Sequence, residues 1–276
     1  KSAAPQGAEG GGRKRMKKRN ENGTPKVLDR LIEILYEEND ETPPAVAAVR
    51  KPDLFRALCN LRAPKPVSEE FLRLQDEYLT SLTRERGVVS VEDILGDEET
   101  ALWQGDITRL DADGIVNACN PALLGCFQPL HNCIDNVIHS AAGVQVRLDC
   151  YALLKGRVEP RGTVRVTKAY NLPSKYIFHT VGPVIFKQAT MQDEKDLENC
   201  YLSCLEKARE MGLHTLAFCC LSTGVYAFPK KEACRIAVRT VRAWKKEDES
   251  GLKVIFDVFE EEDRQLYERE LAGADD

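Results

Sequence analysis

Gly114-Ile115-Val116-Asn117-Ala118-Cys119-Asn120-Pro121 is the stretch that decides the fold. A brief apolar run passes directly into two asparagines and a proline. Short apolar runs closed by turn residues mark strands buried on both faces. The same grammar recurs on either side. Upstream, Leu102-Trp103 leads into Gly105-Asp106; downstream, residues 163–167, 176–181, 215–221 and 254–259 read as further strands. Helical spacing fills the intervals at 132–155, 193–211, 230–246 and 260–271. This alternation predicts an α/β domain with helices layered on both faces of a mixed sheet. In that architecture ligands collect beyond the carboxyl ends of the strands. The polar and Gly-containing turns of this sequence fall there.

Ahead of this region the pattern is purely helical. Val27, Leu28, Leu31, Ile32 and Leu35 repeat at helix spacing, as do Phe71, Leu72, Leu74, Tyr78, Leu79 and Leu82. Pro43-Pro44 and Ala63-Pro64-Lys65-Pro66 separate the helices, and Ser68 with Glu70 offers the last one a capped start. The expected organisation is a disordered basic tail over 1–24, an N-terminal helical extension over 25–94 and the α/β domain over 95–276. The tail is Gly-rich and then carries Arg13-Lys14-Arg15-Met16-Lys17-Lys18-Arg19, with too little apolar content to offset ordering entropy.

Composition sets outer limits. Of 276 residues, 43% are hydrophobic and 30% charged, as in an ordinary globular protein. A net charge of −5 is too mild to recruit nucleic acid, so affinity for phosphate must come from local backbone geometry. No apolar stretch approaches the length of a membrane span, and no basic n-region followed by an apolar h-region opens the sequence. The ten cysteines are scattered, mostly inside apolar runs, where thiols behave as small hydrophobes. A reducing compartment is expected: cytoplasmic, or nuclear should the basic run act as an address.

One cysteine pair is different. Gly125-Cys126-Phe127-Gln128-Pro129-Leu130-His131-Asn132-Cys133-Ile134-Asp135 packs two thiols and an imidazole into eight positions. Zn²⁺ favours such sulfur and nitrogen donors, and three protein ligands leave a fourth position open. A structural zinc ribbon would need a second knuckle, and none is evident. The competing interpretation is a surface loop with two unrelated cysteines.

Weaker signals lie at the other strand ends. Asp106 could accept a hydrogen bond from an exocyclic amine, with the next N–H serving a ring nitrogen; a helix N-cap fits it equally well. Asn120 suits sugar hydroxyls, or merely a turn before Pro121. Leu221-Ser222-Thr223-Gly224-Val225-Tyr226-Ala227-Phe228-Pro229 lets backbone N–H groups converge on an anion at a helix start, without the Gly-Lys-Ser/Thr ending of a Walker loop. His139 reads as a structural histidine, and neither His179 nor His214 suggests catalysis.

Their order gives these signals weight. Trp103-Gln104-Gly105-Asp106-Ile107-Thr108, then the stretch from Gly114 to Asn120, then Ile138-His139-Ser140-Ala141-Ala142-Gly143, then His179-Thr180-Val181-Gly182-Pro183, then Ser222-Thr223-Gly224-Val225-Tyr226 closely resemble a macrodomain. That family binds ADP-ribose, and the likeness covers residues 95–272. Where most macrodomain hydrolases carry a run of glycines, this sequence has the Cys126–His131–Cys133 segment. It is similar there to the zinc-dependent macrodomain subfamily, as it is in Phe71-Leu72-Arg73-Leu74-Gln75-Asp76.

The resemblance implies an α/β/α sandwich with a mixed sheet, preceded by the helical extension. It implies a zinc-dependent hydrolase removing single ADP-ribose units from proteins, with an ester to an acidic side chain as the favoured linkage. Asp106 and Ile107 would meet the adenine, and Ser222, Thr223, Gly224, Val225 and Tyr226 would wrap the diphosphate. Asn120 would touch the distal ribose, and Cys126, His131 and Cys133 would bind one zinc ion. Asp135 would lie beside that ribose to orient the water or act as general base, kept ionised by the neighbouring cation. Two positions depart from the family: Ala227 stands where a second glycine is common, and Asp257 where relatives carry an amide. The expected partner is an ADP-ribosylated protein met by a monomer, with room for a dedicated ADP-ribosyltransferase and no role for membranes or specific nucleic acid. The main alternative is a reader that binds ADP-ribose without cleaving it, against which Asn120, Asp135 and the metal triplet argue together. A zinc nucleoside deaminase is excluded, because its His-x-Glu and Pro-Cys-x-x-Cys elements are missing.

Overall fold

The apolar runs become strands in the computed structural model, which describes residues 24–38, 50–94, 96–97 and 99–273. The expected basic tail and the Pro43-Pro44 break lie outside those residues, apart from Thr24. In chain order the elements are α1 (Thr24–Glu37), α2 (Lys51–Leu61), α3 (Glu69–Arg86), β1 (Thr100–Gln104), β2 (Gly114–Ala118), α4 (Ile134–Ala142), α5 (Val144–Leu154) and β3 (Val164–Lys168). There follow β4 (Tyr176–Thr180), α6 (Met191–Glu210), β5 (Thr215–Phe218), α7 (Lys230–Lys245), β6 (Lys253–Val258) and α8 (Glu261–Leu271). Among the described residues the strands form one six-stranded sheet in the order β1-β6-β5-β2-β4-β3. All pairings are parallel except that of β3 with β4, so the sheet is mixed as expected. No helix among them is long and apolar enough to cross a membrane.

Alternation along the strands divides the labour between the two faces. Phe218 and Phe256 point to one face, where their rings meet Tyr201 of α6 and Tyr267 of α8. Asn117 and His179, paired across β2 and β4, point to the other, towards Asp135 of α4 and Cys150 of α5. The first face is apolar and sealed. The second carries polar groups at the strand ends, and there the cleft lies.

Most boundaries fall within two residues of the sequence expectation, and two depart further. The single helix expected over 132–155 is broken at Gly143, whose φ of 105° no L-residue adopts comfortably. A Cβ at that position would also lie 2.7 Å from the Gln75 amide, which accepts a hydrogen bond from the Val144 N–H. Strand β5 stops at Phe218 instead of 221, because its pairing with β2 ends at Val116 and the chain then turns into the 222–228 loop.

Helices α1, α2 and α3 have an apolar cluster of their own, built from Leu31, Leu35, Phe55, Phe71 and Tyr78, with Val144 of α5 joining it. Burying such a side chain is worth roughly 1.5–3 kcal/mol. Ser68 caps α3 through the Phe71 N–H, as its position suggested.

Asp113 fastens the strand starts opposite the cleft. Its carboxylate accepts from His214 N at 2.7 Å, Thr215 N at 3.2 Å and Lys175 Nζ at 2.6 Å. Burial pushes this carboxyl up, but Lys175 and the two backbone N–H groups outweigh burial and hold it below its usual value. A carboxyl depressed by folding stabilises above its unfolded pKa of about 3.9 and loses that contribution as pH falls through the folded value. Asp113→Asn is therefore expected to cost about 1–3 kcal/mol at pH 7 in urea unfolding. The gap to wild type should narrow below about pH 4; a gap independent of pH would assign the loss to packing instead.

Candidate active site

At the centre of the polar groups at the strand ends is Asp135, in the first turn of α4 and only 5% exposed. Asn117 Nδ2 donates to one carboxylate oxygen at 2.9 Å and Asn120 Nδ2 to the other at 3.2 Å. Burial pushes its carboxyl up to about 6, while Asn117, Arg147 and Asn120 hold it down. Asn117 Nδ2 also lies 3.2 Å from His179 Nδ1, and His179 Nε2 lies 2.9 Å from Thr167 Oγ1. A buried polar chain thus runs from β3 through β4 and β2 to the carboxylate.

His139 belongs to this centre too, although sequence gave it only a structural role. One helical turn beyond Asp135, its Nε2 stands 3.4 Å from the carboxylate, and neither ring nitrogen has a hydrogen-bond partner. Burial, with His179 and Arg147 nearby, keeps this imidazole neutral. The i, i+4 spacing from Asp135 was the signal that could have revealed it. Asn117 had no such signal, since a single asparagine in a strand does not announce what it touches.

Asn120 is more committed than expected. It donates Nδ2 hydrogens to Gly125 O at 3.0 Å and to Asp135, and its Oδ1 accepts from Ala122 N at 3.0 Å. Its amide therefore joins the Asp135 carboxylate to the start of the cysteine loop. Gly125 is required there, because its φ is 76° and a Cβ would sit 2.9 Å from the His139 ring.

Cys126, His131 and Cys133 converge. Their ligand atoms all lie within 4.8 Å of one another, with Cys126 Sγ 3.6 Å from His131 Nδ1. Tetrahedral zinc with bonds of about 2.3 Å to sulfur and 2.05 Å to nitrogen separates those two atoms by about 3.6 Å. All three residues are partly exposed. Burial and the neighbouring Cys126 sulfur push the Cys133 thiol up to about 11, a cost that a cation between the sulfurs would relieve. The donor set and its spacing fit zinc. A second cluster, His139, Cys150 and His179, is sealed in the core, and both His179 nitrogens already face hydrogen-bonding groups.

The 222–228 loop joins β5 to α7. Ser222 and Ala227 adopt left-handed φ values of 63° and 55°, rare for residues with a Cβ. Ala227 thus occupies a glycine-type conformation, which accounts for the glycine common at that position. Gly224 and Val225 are exposed, and Ser222 Oγ is buried without a partner. Thr223 Oγ1 bonds Cys220 O, and Tyr226 OH bonds Cys119 O across to β2.

At the other end, Asp106 caps a turn of 3₁₀ helix by accepting from Thr108 N at 3.0 Å and Thr108 Oγ1 at 2.6 Å. Its second oxygen is 3.5 Å from Arg86 at the end of α3. The capping interpretation is therefore realised, and a lone pair remains for a ligand. Ile107 has its side chain in the core, leaving only its main chain for the cleft. Asp257, paired with Trp103, is buried with Oδ1 unpartnered, and burial beside Asp106 pushes its carboxyl well up. A cavity of about 630 Å³ between β1, α7 and α8 shares no residue with this site.

Comparison with known proteins gives the arrangement its lineage. The model of the Macro domain family matches residues 116–237. A Protein-ADP-ribose hydrolase of Treponema medium is 46% identical over 253 residues, covering 87% of this chain and 95% of that protein. A Trypanosoma brucei macrodomain in complex with ADP gives a TM-score of 0.61 at 30% identity, covering 80% of this chain and 96% of that one. An Oceanobacillus iheyensis macrodomain mutant with ADPR gives 0.58 at 34% identity, covering 64% and 94%. With sequence identity running almost the length of the Treponema protein, and the strand-end cleft built on the same fold, this chain belongs to the macrodomain family.

Proposed function

We propose that this protein is a zinc-dependent hydrolase that releases single ADP-ribose units from modified proteins, with an ester to an acidic side chain as the favoured linkage. One observation carries it: the sulfur–nitrogen–sulfur hook and the Asp135 carboxylate are tied through Asn120, which bonds both Gly125 O and Asp135. The names of the relatives support the hydrolase class, and the fit of three donors to a tetrahedral ion supports the metal.

In this mechanism the chain's residues divide the nucleotide between them. Asp106 accepts from the exocyclic amine of adenine while the Ile107 N–H serves a ring nitrogen. The loop of Ser222, Thr223, Gly224, Val225 and Tyr226 turns N–H groups onto the diphosphate, which needs no cationic side chain. Cys126, His131 and Cys133 would hold zinc, which when bound supplies Lewis acidity beside the distal ribose. Asp135 takes a proton from the attacking water, whose oxygen bonds to the anomeric carbon as the bond from that carbon to the ester oxygen breaks. The electron pair leaves with the carboxylate, and Asp135 returns its proton to solvent. ADP-ribose and a free carboxyl group result. Asn117 and Asn120 fix the carboxylate's orientation, and such positioning can account for much of a rate.

His131→Ala or Cys133→Ala should lose zinc and de-ADP-ribosylation together. Asp106→Ala should mainly weaken ADP-ribose binding, by about 10- to 100-fold as expected for a hydrogen bond to a charged group. Metal analysis, calorimetric titration with ADP-ribose and a hydrolysis time course on a modified protein read the three outcomes. Full activity in demonstrably metal-free protein would end the zinc mechanism, and binding without turnover would leave a reader.

A further inference from the structure

We propose that helix α2 of the N-terminal extension is a working part of the metal centre, with Arg56 and Asn60 as positioning residues that hold the Cys126–Cys133 loop in ligand geometry. This rests on the functional reading above. Arg56 Nη2 donates to His131 O at 2.7 Å, at the central ligand of the hook, and to Asn136 Oδ1 at 2.9 Å. Asn136 passes the hold onward, donating to Cys126 O at 3.3 Å and Gln128 O at 2.9 Å. Asn60, 2% exposed, accepts from Leu130 N at 3.0 Å and donates to Ser140 Oγ at 3.0 Å. Ser140 Oγ in turn donates to Asn136 Oδ1 at 3.1 Å, which closes the ring.

These bonds fall on main-chain atoms of Cys126, Gln128, Leu130 and His131, so they govern the loop's path and not merely its contact with the core. Leu130 has a left-handed φ of 58°, a conformation that an unrestrained leucine would leave. Asn60 supplies the acceptor for its N–H and so favours that conformation. Binding three ligands from an eight-residue loop is weakened if the loop must first be ordered, and here the ordering is done by a helix more than 60 residues upstream in the sequence. Neither Arg56 nor Asn60 contacts Asp106 or the 222–228 loop, so the adenosine and diphosphate ends should be indifferent to them.

The test measures metal affinity directly. Full-length wild type, Arg56→Ala, Asn60→Ala, the double variant and Asn60→Asp are stripped of metal and titrated with Zn²⁺ against a chromophoric chelator. Co²⁺ titration in parallel reports tetrahedral thiolate ligation by its visible and charge-transfer bands. Each alanine variant is expected to bind Zn²⁺ about 10- to 100-fold more weakly, the range seen when groups that orient metal ligands are removed. Asn60→Asp retains the acceptor for Leu130 N and should stay within a few-fold of wild type. ADP-ribose affinity should be unchanged throughout.

Wild-type zinc affinity in the folded double variant overturns the proposal, as does Asn60→Asp binding as weakly as Asn60→Ala. Should the double variant fail to fold, the comparison of the two Asn60 substitutions decides. If wild type itself binds no stoichiometric zinc, the zinc mechanism falls and this inference with it; if wild type binds and the variants match it, this inference alone falls.

Discussion

Asp135→Ala is expected to slow ADP-ribose release by about 10²- to 10⁴-fold, the usual contribution of a positioned general base. The expected effect is this large because nothing nearby can substitute for the lost carboxylate. Its immediate neighbours are the amide donors of Asn117 and Asn120 and a histidine that burial keeps neutral. Asn117 and Asn120 would be left pointing their N–H groups at a vacated position. Asparagine at 135 would be no gentler, since its own amide nitrogen must face one of those two donors. Single-turnover hydrolysis of an ADP-ribosylated protein measures the rate, with zinc content and ADP-ribose affinity checked on the same sample. An alanine variant with normal metal that still turns over at the wild-type rate would remove Asp135 from the chemistry.

The second large effect is on stability. Arg147 of α5 is 5% exposed, and its guanidinium is spent on main-chain carbonyls from two parts of the chain. Nε donates to Leu124 O at 2.6 Å, and Nη1 donates to Cys59 O at 2.9 Å, to Asn60 O at 3.0 Å and to Arg62 O. The last three lie at the carboxyl end of α2, where helix carbonyls lack partners of their own. The guanidinium also stacks 4.4 Å from the centre of the Phe127 ring. Arg147→Met keeps most of the apolar stem but leaves these acceptors without their donor in the interior. We expect a loss of about 3–5 kcal/mol, large against the marginal stability of a typical domain. Equilibrium urea denaturation of the metal-free protein tests this; a loss below about 1 kcal/mol would mean that water replaces the guanidinium at little cost.

Much of this architecture was legible in the sequence, and the reasons are local. Short apolar runs ending near Asp106, Asn117 and Ser222 announce parallel strands with polar ends, because strands buried on both faces read as near-continuous apolar runs. The hook was legible because three soft donors within eight residues have few other uses. Other features depend on contacts between distant segments. The break at Gly143 interrupts a pattern that continues with helical spacing on both sides, and only the Gln75 side chain packed against it shows why the chain turns. Helical periodicity marked α2 as amphipathic but could not show that Arg56 and Asn60, on its polar side, meet a loop more than 60 residues further along. Asp106 shows a third situation: capping and ligand recognition seemed rival interpretations, yet one carboxylate has enough lone pairs for both.

The four acceptors of Arg147 have an implication for how this protein can be divided. Three of them belong to the upstream helices, so a fragment beginning near the first strand would keep a charged group in its interior with most of its partners gone. Trimming the leading helices is therefore expected to leave Arg147 without three of its four acceptors and to lower the stability of what remains.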